Sequence, residues 1–99
     1  MAKDGQTGDA FAEVLSDLVG KEVVIDTATP YIFLGRLIAY STSFLTLEDA
    51  DVRDSSEGRA SKDHYAFEAS RYGYRKIRRQ VTVRVEQIVS ISRLEDVLG

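Results

Sequence analysis

Phe33-Leu34-Gly35-Arg36-Leu37-Ile38-Ala39-Tyr40-Ser41-Thr42-Ser43-Phe44-Leu45-Thr46-Leu47-Glu48-Asp49-Ala50 holds two strands and the corner between them. Its first half belongs to a long strand over residues 31–42, carried by β-branched and aromatic side chains. Gly35 lies inside that strand. A glycine there marks a sharp bend or a close backbone approach, the means by which a short sheet curls toward closure. In the second strand Leu45 and Leu47 alternate with Thr46 and Glu48, so one face is buried. That strand starts at Phe44, covers at least Leu47 and extends to Val52 at most.

Upstream, Glu22 to Ala28 reads as a Val- and Ile-rich strand ended by Thr29-Pro30. Before it, Phe11, Val14, Leu15 and Leu18 fall at i, i+3, i+4 and i+7. This predicts a helix of about three turns, capped by Asp9 and ended at Gly20, behind a loose polar terminus at residues 1–8. So short a helix holds only if its apolar stripe packs on something.

Downstream, residues 54–58 read as a polar turn. Ser61 to Tyr72 is either a helix capped by Ser61 and stopped by Gly73, or the twisted arms of a long hairpin. The spacing of Tyr65, Phe67 and Tyr72 does not choose, and the hairpin with irregular structure is the expectation adopted. From Gln80, Val81, Val83 and Val85 share one face, with Thr82, Arg84 and Glu86 on the other; Ile88 to Ser92 makes a fifth strand. Five short strands without crossover helices predict a mainly β chain, a helix in front of a strongly bent antiparallel barrel. Residues 9–99 form one domain, with a variable insert at about 55–78.

Ninety-nine residues, 43% apolar, with a mean hydropathy of -0.20, suit one small globular domain. Burial is incomplete at this size, so association with copies of itself or a partner adds stability. With no cysteine, a disulfide frame and a thiolate zinc site are excluded. The apolar runs Val23–Ile25 and Tyr31–Leu34 are too short to cross a bilayer, and the first twenty residues lack a basic start and an apolar core. The expected setting is the cytoplasm.

Charge is unevenly spread. Residues 1–58 carry 4 Lys/Arg and 11 Asp/Glu, residues 59–84 carry 8 and 2, and residues 85–99 carry 1 and 3. A net -7, +6 and -2 in turn guides either an anionic partner or copies of the chain docking head to tail.

In this order of elements the chain resembles the Sm-like family. Leu15-Ser16-Asp17-Leu18-Val19-Gly20-Lys21-Glu22-Val23 resembles the family's opening, where a helix turns into the first strand. Phe33 to Leu37 with Leu45-Thr46-Leu47-Glu48-Asp49-Ala50 is similar to the first Sm motif, and Val83 to Ile91 to the second. The resemblance covers residues 11–53 and 80–94. It implies a ring in which the fourth strand of one subunit pairs with the fifth of its neighbour, and a single-stranded RNA partner. Two family features are altered: Phe44 stands where the family has Asn, in a loop one residue shorter, and Val85 replaces Gly after Arg84. A phenyl ring supplies neither the donor nor the acceptor of an amide.

The functional expectation is a ring-forming RNA-binding protein of RNA-chaperone or ribonucleoprotein-scaffold type. Its candidate contacts are Thr42, Phe44, Arg84, and the run Arg71, Tyr72, Tyr74, Arg75, Lys76, Arg78 and Arg79, where cations neutralise phosphates and tyrosines stack on bases. Against this, the bland reading buries Phe44 in the core, pairs the cations with acidic residues of the same or a neighbouring subunit, and leaves an oligomeric scaffold without the base pocket. A monomeric SH3-like module is a third reading. His64 is the single histidine, and the acidic run 48–54 lacks the Gly and Glu of a calcium loop. No catalytic constellation, metal or cofactor is expected.

Overall fold

The computed structural model describes residues 3–58 and 60–98. Helix α1 (Lys3–Leu18) precedes strands β1 (Glu22–Thr27), β2 (Tyr31–Tyr40) and β3 (Phe44–Asp54); helix α2 (Lys62–Tyr72) follows, then β4 (Arg78–Arg84) and β5 (Ile88–Arg93). Single 3-10 turns occupy Ser55–Glu57, Val85–Gln87 and Leu94–Asp96. The strands form one antiparallel sheet in the order β4-β3-β2-β1-β5. The expected helix-plus-five-strand, mainly β architecture is what the chain adopts. Among the described residues β4 and β5 stay unpaired to each other, each at an edge of the sheet.

The sheet curls where its register slips. Between Leu34 and Arg36 on β2 the partner on β3 moves from Asp51 to Glu48, which leaves an extra residue on β3. Asp49 takes φ 50 there, the left-handed conformation an Asp tolerates at a bulge. Opposite it, Gly35 is tightly enclosed: a Cβ would lie 3.1 Å from the Cβ atoms of Ala50 and Leu47 and 3.2 Å from Glu48 O, so β3 would have to give by a few tenths of an ångström. A close approach is therefore what Gly35 permits.

Both faces of the β1–β2 half are covered. Val23, Ile25 and Leu37 join Leu45, Leu47, Ala50 and Val83 inside the curl, with Leu15 and Leu18 of α1 closing one end. Val24, Ile32 and Leu34 face outward, where Ala66 and Ala69 of α2 and Leu94 bury them. Backbone bonds from Gly20 N–H to Leu37 O and from Leu37 N–H to Lys21 O fix the entry from α1 into the sheet.

Two expectations are corrected. Helix α1 begins at Lys3, so the backbone at residues 3–8 is helical and Asp9 lies within the helix; Met1 and Ala2 lie outside the described residues. No proline interrupts this stretch, and adding turns to a nucleated helix fixes one residue per hydrogen bond gained. Ser61 to Tyr72 is a helix rather than a hairpin arm. Ser61 Oγ accepts the His64 N–H at 3.1 Å, Gly73 at φ 83 donates its N–H to Ala69 O, and Ala66 and Ala69 pack on the sheet. Local capping and the need to cover an apolar sheet face decide the conformation together.

Three polar anchors hold α2. Lys62 Nζ donates to Asp26 Oδ1 (2.7 Å), Thr27 O (2.9 Å) and Thr29 O (2.6 Å), tying the first turn of the helix to the β1–β2 corner. Arg53 bridges buried Asp51 at 2.7 Å and lies over the Tyr65 ring, its guanidinium carbon 5.2 Å from the centroid. Beyond the helix, Tyr74 Oη donates to Glu22 Oε2 at 2.8 Å.

Candidate nucleic-acid interface

The β2–β3 corner is a tight hairpin: Ser41 N–H bonds to Phe44 O, and Ser41 Oγ accepts the N–H groups of Ser43 and Phe44. Val85 N–H then bonds to Ser43 O at 2.8 Å, so this corner and the β4–β5 turn are fixed together. Phe44 and Arg84 are cross-strand partners. With Thr42, Ser43, Val85 and Glu86 they line an open cavity of about 370 Å³.

Phe44 is 47% exposed at the rim of this cavity. The core reading of this residue is thereby corrected. Phe44 heads β3 on the face of Thr46 and Glu48, while Leu45 next to it turns into the core. Arg84 is exposed and its guanidinium contacts the Glu86 carboxylate. Glu86 is not among the residues the sequence reading names as contacts, although alternation sets it on the face of Arg84; that spacing is the signal for their pairing.

The second group of candidates stands elsewhere. Arg78 and Arg84 begin and end β4, about 20 Å apart at roughly 3.3 Å per residue. Arg71 lies over the Phe67 ring at 4.9 Å and Lys76 over the Tyr74 ring at 4.8 Å. Tyr72 is 81% exposed, and Arg75, Arg78 and Arg79 are exposed. The structure therefore brings Thr42, Phe44 and Arg84 together and leaves the run from Arg71 to Arg79 at the far end of β4.

Within that run Tyr74 is not free to stack on a base through a mobile ring, since its hydroxyl is held by Glu22. Burial first, then the bond to the Glu22 carboxylate, raise its pKa well above the ordinary phenol value near 10. The fold thus holds this proton more tightly than the unfolded chain does. Stability from this source is complete below about pH 10 and is lost as pH rises beyond it. In Tyr74→Phe, the fall of the urea midpoint between about pH 9.5 and 11.5 should be shallower than in wild type. Equal slopes in the two proteins would count against this account.

No protein-family model and no curated protein sequence matches the chain. Solved structures do. An Sm protein of Pyrococcus abyssi, solved in complex with a uridine heptamer, superposes with a TM-score of 0.55 at 20% identity, covering 83% of this chain and 94% of that one. A heptameric archaeal Sm protein gives 0.52 at 22% identity, with coverages of 82% and 96%. A chain of the NatC complex bound to CoA gives 0.52 at 20% identity, with coverages of 78% and 79%. The fold is Sm-like. Among the described residues no helix is long and apolar enough to cross a membrane.

Proposed function

We propose that the chain is a subunit of a homo-oligomeric ring that binds single-stranded RNA, in the cytoplasm, by contact rather than catalysis. The observation that carries this reading is the exposed Phe44–Arg84 pair in the cavity shared by the two corners. An unpaired base stacks on Phe44, while Arg84 exchanges Glu86 for a phosphate. Without an amide at residue 44 the stacking tolerates any base. Ring closure pairs β4 of one subunit with β5 of the next, which removes both open edges. The Sm proteins of like fold, one heptameric and one solved with a uridine heptamer, support the assembly and the ligand.

Fluorescence anisotropy with a labelled single-stranded RNA, on the assembled protein at low and moderate salt, tests this. A stacked base is worth roughly 1–3 kcal/mol, so Phe44→Ala should weaken binding about 5- to 150-fold. Glu86→Gln, which frees Arg84, should tighten it. Failure of the assembled wild-type protein to bind RNA at low salt would sink the proposal.

The contact between Arg84 and Glu86 favours a second reading, because it already neutralises the cation. In that reading the ring is a structural or protein-interaction scaffold, in keeping with the like-folded chain of the NatC complex. Assembly without RNA affinity is its signature.

A further inference from the structure

We propose that the basic run before β4 is a docking element for a second copy of this chain, received by the acidic Glu95-Asp96 turn after the neighbour's β5. This rests on the ring reading above and assigns what gives its subunit contact direction and specificity. It also takes the run from Arg75 to Arg79 out of the RNA site.

Arg71, Arg75, Lys76, Arg78 and Arg79 make no ion pair among the described residues, although 16 Asp and Glu residues are present in the chain. Arg71 and Lys76 rest on aromatic rings of their own chain. Among the described residues Arg75, Arg78 and Arg79 make neither an ion pair nor a cation-π contact, and Arg78 and Arg79 are the first residues of edge strand β4. At the opposite edge, β5 ends at Arg93 and runs into the 3-10 turn Leu94–Asp96. Glu95 reaches only Arg93, at 3.6 Å, and Asp96 makes no ion pair among the described residues.

All four pairings within the sheet are antiparallel. Continuing that sense across the interface sets the start of β4 against the end of the neighbour's β5, which brings Arg78 and Arg79 to Arg93 and to the Glu95-Asp96 turn that follows it, where two carboxylates outnumber one guanidinium. A parallel junction would instead set Arg78 and Arg79 at the start of the neighbour's β5, away from Glu95 and Asp96. Apolar surface matches in the same sense. Ile77, exposed just before β4 and tied by its N–H to Ala50 O, comes beside exposed Leu98 beyond the neighbour's turn. Opposite charges at a rim steer association and exclude wrong registers, and their effect weakens with salt.

The test is native mass spectrometry and light scattering of the full chain across protein and salt concentration, with RNA anisotropy on the same samples. Wild type should assemble at low salt and dissociate as salt rises. The double variant Arg78→Glu with Arg79→Glu should need about tenfold more protein for half-assembly while keeping its circular dichroism. Adding Glu95→Lys and Asp96→Lys to that variant should restore assembly by reversing both sides. Wild-type assembly by the Arg78→Glu, Arg79→Glu double variant would overturn the proposal, and loss without restoration on adding Glu95→Lys and Asp96→Lys would overturn the assigned receiving turn. An intact ring that has lost RNA binding would reassign the run to RNA. A wild type that is monomeric at every concentration would overturn the ring reading itself.

Discussion

Gly35→Val should cost the fold about 3 kcal/mol, the upper end of what overpacking a filled core costs. For a domain of this size that lowers the melting temperature by roughly 12–24 °C. A Cβ at residue 35 meets three atoms at once, at 3.1, 3.1 and 3.2 Å, and none is the far end of a flexible side chain. Two are Cβ atoms of buried Leu47 and Ala50, and the third is the backbone oxygen of Glu48. Relief therefore means moving β3 away from β2 at the bulge that curls the sheet. Gly35→Ala should fall between valine and wild type, since alanine brings the Cβ without the two methyl groups. Thermal melts followed by circular dichroism decide: a Gly35→Val midpoint within about 3 °C of wild type would show that β3 yields freely.

The corner around Gly35 was also the most legible part of the sequence. A glycine between Leu34 and Arg36, followed by alternating Leu45 and Leu47, has one economical solution, a bent strand paired with a half-buried one. The insert was not legible in this way. Of Tyr65, Phe67 and Tyr72, Tyr65 alone packs against the outer face, beside the buried Ala66 and Ala69, while Tyr72 is exposed; one tyrosine and two small residues leave little trace in a periodicity. A signal for α2 lay outside the insert. Val23-Val24-Ile25 and Ile32-Phe33-Leu34 are continuous apolar runs, which mark strands covered on both faces, so some element had to cover the outer one.

The candidate interface divides along similar lines. Alternation along β4 set Arg84 in the open, and residue 44 was singled out because its type changed. What alternation leaves open is whether a side chain at the very start of a strand is covered, since that depends on how far the neighbouring strands reach. Phe44, the first residue of β3, is exposed. For the basic run, composition names the residues, while its distance from Phe44 follows from β4 lying between them.

The buried charge at the α2 anchor yields the other large effect. Arg53→Met, which keeps the apolar stem and removes the cation, should cost about 3 kcal/mol, the lower end of the range for breaking a buried pair. Asp51 has only 2% of its surface exposed, and Arg53 Nε is its hydrogen-bond and ion-pair partner. The Arg53 side chain is itself 39% exposed, so water already screens the pair and the upper end of the range does not apply. The variant also loses the cation over Tyr65, one of the contacts that keep α2 on the sheet. Removing the carboxylate as well, as Asp51→Leu with Arg53→Met, should recover most of the loss, because an apolar pair of similar volume leaves no charge stranded. Urea unfolding of the four proteins of this cycle supplies the measurement. A single-variant cost below about 1 kcal/mol would put the bridge in the class of surface pairs. A double variant as unstable as Arg53→Met would show that the stem and ring contacts, not the buried carboxylate, set the cost. Since α2 leads through Ile77 into edge strand β4, Arg53→Met should also weaken assembly, and the double variant should restore it in step with its stability.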